Sequence, residues 1–171
     1  KPHELRSVSI GAGAGTQAFE FGNPEFTTEK AWGVEGTLKG SGDGWSLSAA
    51  AYYNWFSDYI YDAPTGAIED DLPVFQYNQA DARYYGFEVE GSARLAQLGN
   101  FAINADALAD YVHADIVDQG PVPRIPPLRM MGGLEAQSDA LTGRVEVEHS
   151  FEQDRVTDFE TPTSGFTLVN A

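Results

Sequence analysis

The chain has 171 residues, with 26 Asp and Glu against 10 Lys and Arg, a net charge of −16 and a pI near 4.3. So acidic a chain repels phosphate backbones, which argues against nucleic acid as a partner. The absence of cysteine removes disulfides and thiolate metal sites, and the absence of any run of about 18 apolar residues removes a transmembrane helix while leaving a β-barrel open.

Residues 1–29 hold Gly11, Gly13, Gly15 and the triplet Gly22-Asn23-Pro24, and read as a long loop with a short strand near 17–21. The glycines superficially form a phosphate cradle, but no Lys-Ser/Thr pair or amphipathic helix follows them, so a plain loop is the better reading. From Lys30, apolar or small Trp32, Val34, Gly36 and Leu38 alternate with Glu35, Thr37 and Lys39, the period-two pattern of a strand. Residues 40–44 close a tight hairpin. Trp45, Leu47, Ala49, Ala51, Tyr53 and Trp55 then alternate with Ser46, Ser48, Ala50, Tyr52 and Asn54, and Tyr59, Ile60 and Tyr61 carry the strand on to a polar loop over 62–73 containing Glu69, Asp70 and Asp71.

The return strand, 75–95, has the clearest alternation: Tyr85, Phe87, Val89, Gly91 and Ala93 against Glu88, Glu90, Ser92 and Arg94. A turn over 96–100 leads to a strand with Phe101, Ile103, Ala105, Ala107, Ala109 and Tyr111 on one face and Asn104, Asp106 and Asp110 on the other, Leu108 interrupting the polar set. A connection over 113–127, rich in Pro and Asp, precedes a strand over 128–137. A short turn at 138–140 and a strand with Val145 and Val147 alternating with Arg144, Glu146 and Glu148 come next. After a long loop over 151–162, residues 163–171 begin another strand. The sequence opens without a signal peptide and stops inside an apolar run, the pattern of a piece cut from something longer.

Connections therefore alternate long and short along the whole chain. In an up-and-down meander every second connection lies at the same end, which is how outer-membrane barrels sort minimal turns from extended loops. Trp32, Trp45 and Phe101 are expected near the short-turn end and Tyr53, Trp55, Tyr85 and Tyr111 near the other, as interfacial aromatics. On this reading Glu35, Glu88, Glu90, Arg94, Asp106, Asp110, Arg144, Glu146 and Glu148 face a wet lumen, cross-pairing where charges are opposite. The carboxylate pairs Glu88/Glu90 and Glu146/Glu148, about 6 to 7 Å apart by strand rise, overlap glycosidase spacing. No sugar platform or third catalytic group accompanies them, and no nucleophile elbow occurs, so the chain reads as no enzyme. At the loop end, Asp62, Glu69, Asp70, Asp71, His113 and Asp115 are candidate substrate contacts, oxygen-rich with one imidazole, although their spacing matches no dedicated metal site.

Several segments resemble TonB-dependent outer-membrane receptors: Gly22-Asn23-Pro24-Glu25 with Thr28-Glu29-Lys30-Ala31-Trp32; Ala51-Tyr52-Tyr53-Asn54 with Phe56 and Tyr59-Ile60; Tyr85-Gly86-Phe87-Glu88-Val89-Glu90; Pro123-Arg124-Ile125-Pro126-Pro127; and 163–171. They stand in family order over nearly the whole chain. The resemblance implies an all-β antiparallel meander, part of a barrel of about 22 strands, comprising about six strands and the start of a seventh, with the plug domain and last strands lying outside residues 1–171. It also implies TonB-coupled uptake of a metal chelate, a ferric siderophore foremost, with haem, cobalamin or zinc as alternatives and no cofactor. The implied partners are outer-membrane lipid, and TonB with its inner-membrane energising complex, reached through the plug. The segment around His3, Glu4 and Leu5, with Phe19-Glu20-Phe21, faintly resembles a subgroup that includes zinc receptors, but the fuller histidine pattern is missing. The alternative is a soluble all-β binding or adhesion module with a sandwich core. An isolated chain of the first kind leaves sheet edges and an apolar face open, and is expected to self-associate.

Overall fold

The computed structural model describes residues 5–10 and 17–171, with side chains described from residue 18 onward. Ten strands form one twisted sheet: β1 (Leu5–Ile10), β2 (Gln17–Gly22), β3 (Lys30–Gly42), β4 (Trp45–Glu69), β5 (Leu72–Leu98), β6 (Phe101–Ile116), β7 (Gly120–Pro121), β8 (Arg129–Gln137), β9 (Thr142–Ser150) and β10 (Phe166–Asn170). From β3 the sheet runs β4, β5, β6, β8, β9, β10, each antiparallel to its neighbour. This is the meander that the alternating connections imply.

Among the described residues no second layer covers the sheet. The accessible surface is 11508 Å², against about 8,200 Å² for a compact monomer of this mass. Only Val74, Ala82, Ala114, Ile116 and Val122 are buried hydrophobics among the described residues. Trp32 is 66% exposed, Leu38 65% and Leu134 56%. A sandwich would bury these residues, so that alternative fails.

Register places the apolar stripe on one face throughout. Leu38, Ala49, Val89, Ala109, Met130 and His149 lie in one row across six strands, and Leu47, Gly91, Ala107, Gly132 and Val147 in the next. This outward face is banded by rings at the long-loop end. Trp32 stacks on Trp55 at 4.2 Å, Tyr53 on Tyr85 at 5.6 Å, and Tyr85 on His113 at 4.6 Å. Trp32 is thus at the opposite end from the one expected: β3 enters from the long-loop side, so its first residues pair with the last regular residues of β4.

Three expected loops are partly strand. The stretch 62–73 continues the β4–β5 ladder to a two-residue turn at Asp70 and Asp71, whose φ values of 49° and 62° match a type I′ hairpin. Aspartate tolerates this left-handed backbone, and a register shift between Pro64 and Ile68 absorbs the proline. In the stretch read as a loop with a short strand near 17–21, β1 pairs antiparallel with β2, and β2 adds parallel to β5 at Phe19↔Val74 and Phe21↔Gln76. β6 runs to Ile116, and β7 folds back on it. His3 and Gly11–Gly15 lie outside the described residues.

Candidate functional site

The inner face of the sheet is polar because every second residue of each strand points there. Glu35, Glu88, Glu90, Arg94, Asp106, Asp110, Arg144, Glu146 and Glu148 all share it by register. Arg144 on β9 reaches over β8 to Asp106 on β6, at 2.6 Å and 2.9 Å, and also donates to Glu146 at 2.8 Å. Gly133 makes this crossing possible, since a Cβ there would collide with the guanidinium. Arg129 pairs with Asp110 at 2.9 Å. Glu88 and Glu90 form no ion pair among the described residues, and with Glu35, Lys39 and Ser48 they line a shallow recess of about 190 Å³.

At the long-loop end the β4–β5 hairpin projects well past the aromatic band. Ala114, Ile116 and Val122 form a small buried cluster, packed by Tyr59, Tyr61, Tyr84 and Ile125. The Tyr59 and Tyr84 hydroxyls share a hydrogen bond of 2.7 Å. Tyr61 donates to Gln119. Against this cluster two connections, 117–128 and 151–165, are tied to each other. Glu160 accepts from the Arg124 backbone N–H at 2.7 Å, and from the Thr157 N–H and hydroxyl at 3.1 Å and 3.0 Å. Gln153 donates to the Ile125 carbonyl at 2.7 Å, and its backbone bridges Thr163.

Burial by itself pushes the Glu160 carboxyl up, yet the Thr157 and Arg124 N–H groups and the Thr157 hydroxyl outweigh it and hold it below the ordinary glutamate value. Tyr77, by contrast, is raised by burial and then by its hydrogen bond to Glu20 at 3.1 Å.

Between β4 and these connections lies a cavity of about 310 Å³, lined by Tyr61, Asp62, Ile116, Gln119, Asp158 and Phe159 among others. Phe159 meets Phe75 edge to face at 5.6 Å. Aromatic, amide and carboxylate groups are thus gathered in one opening.

Of the six expected contact residues only Asp62 lines the cavity. Glu69, Asp70 and Asp71 sit at the hairpin tip, roughly 20 Å along the strand by rise. His113 and Asp115 lie on the outward face, because β6 alternation places them with Tyr85 and Arg83. They bond each other at 2.8 Å, and Arg155 donates to Asp115 and to the Ala114 carbonyl. Among the described residues no cluster of three or more His, Asp or Glu is arranged for a metal ion. Gln119, Gln153, Arg155, Phe159 and Glu160 were missed, because irregular loops carry no period. Thr157-x-x-Glu160 was the available signal, since a hydroxyl followed three residues later by a carboxylate satisfies local N–H groups.

The family model for the "TonB dependent receptor-like, beta-barrel" matches residues 3–171. The chain belongs to that family. Its members are bacterial outer-membrane proteins. Among solved structures, a copper transporter, OprC, matches this receptor barrel with a TM-score of 0.75 and 23% identity. The match covers 85% of this chain and 23% of that one, so the chain spans about a quarter of the length of that neighbour. No curated protein matches. The short turns now become periplasmic, and the projecting hairpin with its tied connections becomes extracellular.

Proposed function

We propose that this chain is part of the wall and extracellular mouth of a receptor that takes up a metal chelate across the outer membrane, driven by TonB. The inner face, carrying Glu35, Glu88, Glu90 and Arg144, lines the lumen, and the remaining barrel strands and a plug complete the enclosure. The observation that carries the reading is the 310 Å³ opening at the long-loop end. Its Tyr61, Phe159 and Gln119 offer flat apolar surface and an amide to the organic shell of a chelate, and Asp62 and Asp158 add carboxylates. A ferric siderophore fits this better than a bare ion, because the organic shell supplies the metal's ligands. Haem, cobalamin and zinc complexes remain the alternatives.

The test is accumulation of radiolabelled iron, supplied as a siderophore panel, in cells whose only receptor is the full-length protein. Uptake that needs TonB and falls on Tyr61→Ala with Phe159→Ala supports the reading. Accumulation of copper or zinc salts in its place, or uptake indifferent to TonB, refutes it.

A further inference from the structure

Basic residues are distributed unevenly over the two faces of the sheet. On the strands from β3 onward, Lys39, Arg94, Arg129 and Arg144 are on the inner face. Lys30 and Arg83 are on the outward face, both at its extracellular edge. On each strand the residue two positions toward the membrane is an aromatic of the girdle: Trp32 below Lys30, and Tyr85 below Arg83. Tyr111 lies below His113 in the same way. At the periplasmic end the outward face carries Trp45, Phe101, Ile103 and small residues, and no basic side chain among the described residues.

Both side chains are exposed, and neither has an ion-pair partner among the described residues. In a chain of net charge −16, two unpaired cations at the extracellular edge of the girdle, Lys30 beyond the row of Trp32 and Trp55 and Arg83 within it, call for an anion. The row Trp32, Trp55, Arg83, Asp115 places Lys30 two strands and one residue pair away from Arg83. Strand spacing and rise put their Cα atoms about 12 Å apart. Their flexible stems close that span onto one phosphate or two adjacent ones. Between them the stacked pair Trp32–Trp55, Trp32 exposed and Trp55 half-buried, presents a flat platform at the depth where headgroup meets acyl chain.

The nearby carboxylates bound the site. Asp115 is held by Arg155 and His113. Asp81 stands two residues beyond Arg83 on the same face, farther from the membrane.

We infer that Lys30 and Arg83 form a seat for the phosphate-bearing headgroup of a lipid in the outer leaflet, its upper carbons resting on Trp32 and Trp55. The occupant is a lipid rather than a free anion because the cations continue a membrane-facing girdle and lead into neither the cavity nor the lumen.

The test uses the full-length receptor in nanodiscs, with a phosphorylated glycolipid and its dephosphorylated form as probes, read by native mass spectrometry and by titration. The phosphorylated lipid is expected to be retained preferentially. Each of Lys30→Gln and Arg83→Gln should weaken its binding about 5-fold, and the double variant on the order of 25-fold. Lys39→Gln with Arg94→Gln, on the inner face, should leave it unchanged. Heat-modifiable mobility reports that the barrel has assembled. If the double variant assembles poorly, Arg83→Lys, which keeps the charge, must retain the lipid while Arg83→Gln weakens its binding about 5-fold. Equal retention of both lipids, an unaffected double variant, or competition by millimolar inorganic phosphate would overturn the seat. Loss of lipid from the unaltered protein on chelating divalent cations would do the same, since Asp81 and a bridging ion would then be the binding group.

Discussion

Placing a charge on the outward face tests the partition between lipid and lumen, and Val89→Arg is the sharpest case. Trp45 and Trp55 mark the two edges of the apolar band on β4, ten residues apart. At about 3.3 Å per residue and a strand tilt of 35–45°, that separation spans about 25 Å of membrane. Val89 pairs with Ala49 on one side and Ala109 on the other, four residues below the girdle ring of Tyr85. Its partner Ala49 is six residues from Trp55 and four from Trp45, so Val89 lies about 15 Å below the upper edge and about 10 Å above the lower one, close to the midplane. Arginine there is expected to cost about 2–4 kcal/mol. Ala50→Arg is the matched control: it has almost the same depth, but it points inward and sits opposite Glu88. Its cost should stay under about 1 kcal/mol, as for any solvated pair. Folding of the full-length receptor into bilayers, followed by denaturant titration, measures both. Equal costs for the two variants, or a negligible cost for Val89→Arg, would mean that the apolar stripe does not meet hydrocarbon.

Further outcomes follow from individual contacts. Because the Glu160 carboxyl is depressed in the folded state, its contribution is fully present above the ordinary value of 4.5 and is lost as pH falls through the lower folded value. Protection of the amides over 153–163, taken as exchange rates corrected for their intrinsic pH dependence, should be high at neutral pH and fall below about pH 4.5. Glu160→Gln should lower that protection at neutral pH by about 1 kcal/mol or roughly 5-fold and by much less at acid pH, where Glu160 is itself protonated, and pH-independent protection in the unaltered protein would contradict the assignment. Gly133→Val should turn Arg144 away from Asp106, visible in a structure of the full-length variant, while Gly143→Val, with open space around its Cβ position, should leave the pair intact. The isolated 171-residue chain, with Trp32, Leu38, Leu134 and Val145 exposed, should self-associate in water, and light scattering showing a stable monomer would refute this.

Much of the architecture was legible because alternation has a period of two and each strand runs long enough to repeat it. Glu88 and Glu90 opposite Phe87 and Val89, or Glu146 and Glu148 opposite Val145 and Val147, announce two solvents on two sides. Sequence separation of short turns from long connections was enough to order the strands. The β4–β5 extension escaped notice because Pro64, Gly66 and Asp70-Asp71 have loop chemistry, while the ladder that carries them across comes from pairing with residues 72–80.

The order of residues specifies the wall: which of them alternate, and hence which share a face. What lies at its end is set by contacts between distant segments. That His113 and Asp115 turn outward while Asp62 lines the opening depends on β6 staying in register past residue 112. That Glu160 fastens two connections, and that Arg144 passes over Gly133, depends on segments distant in the chain meeting across strands. Local periodicity specifies direction, whereas meeting requires register, and register is a property of the assembled sheet.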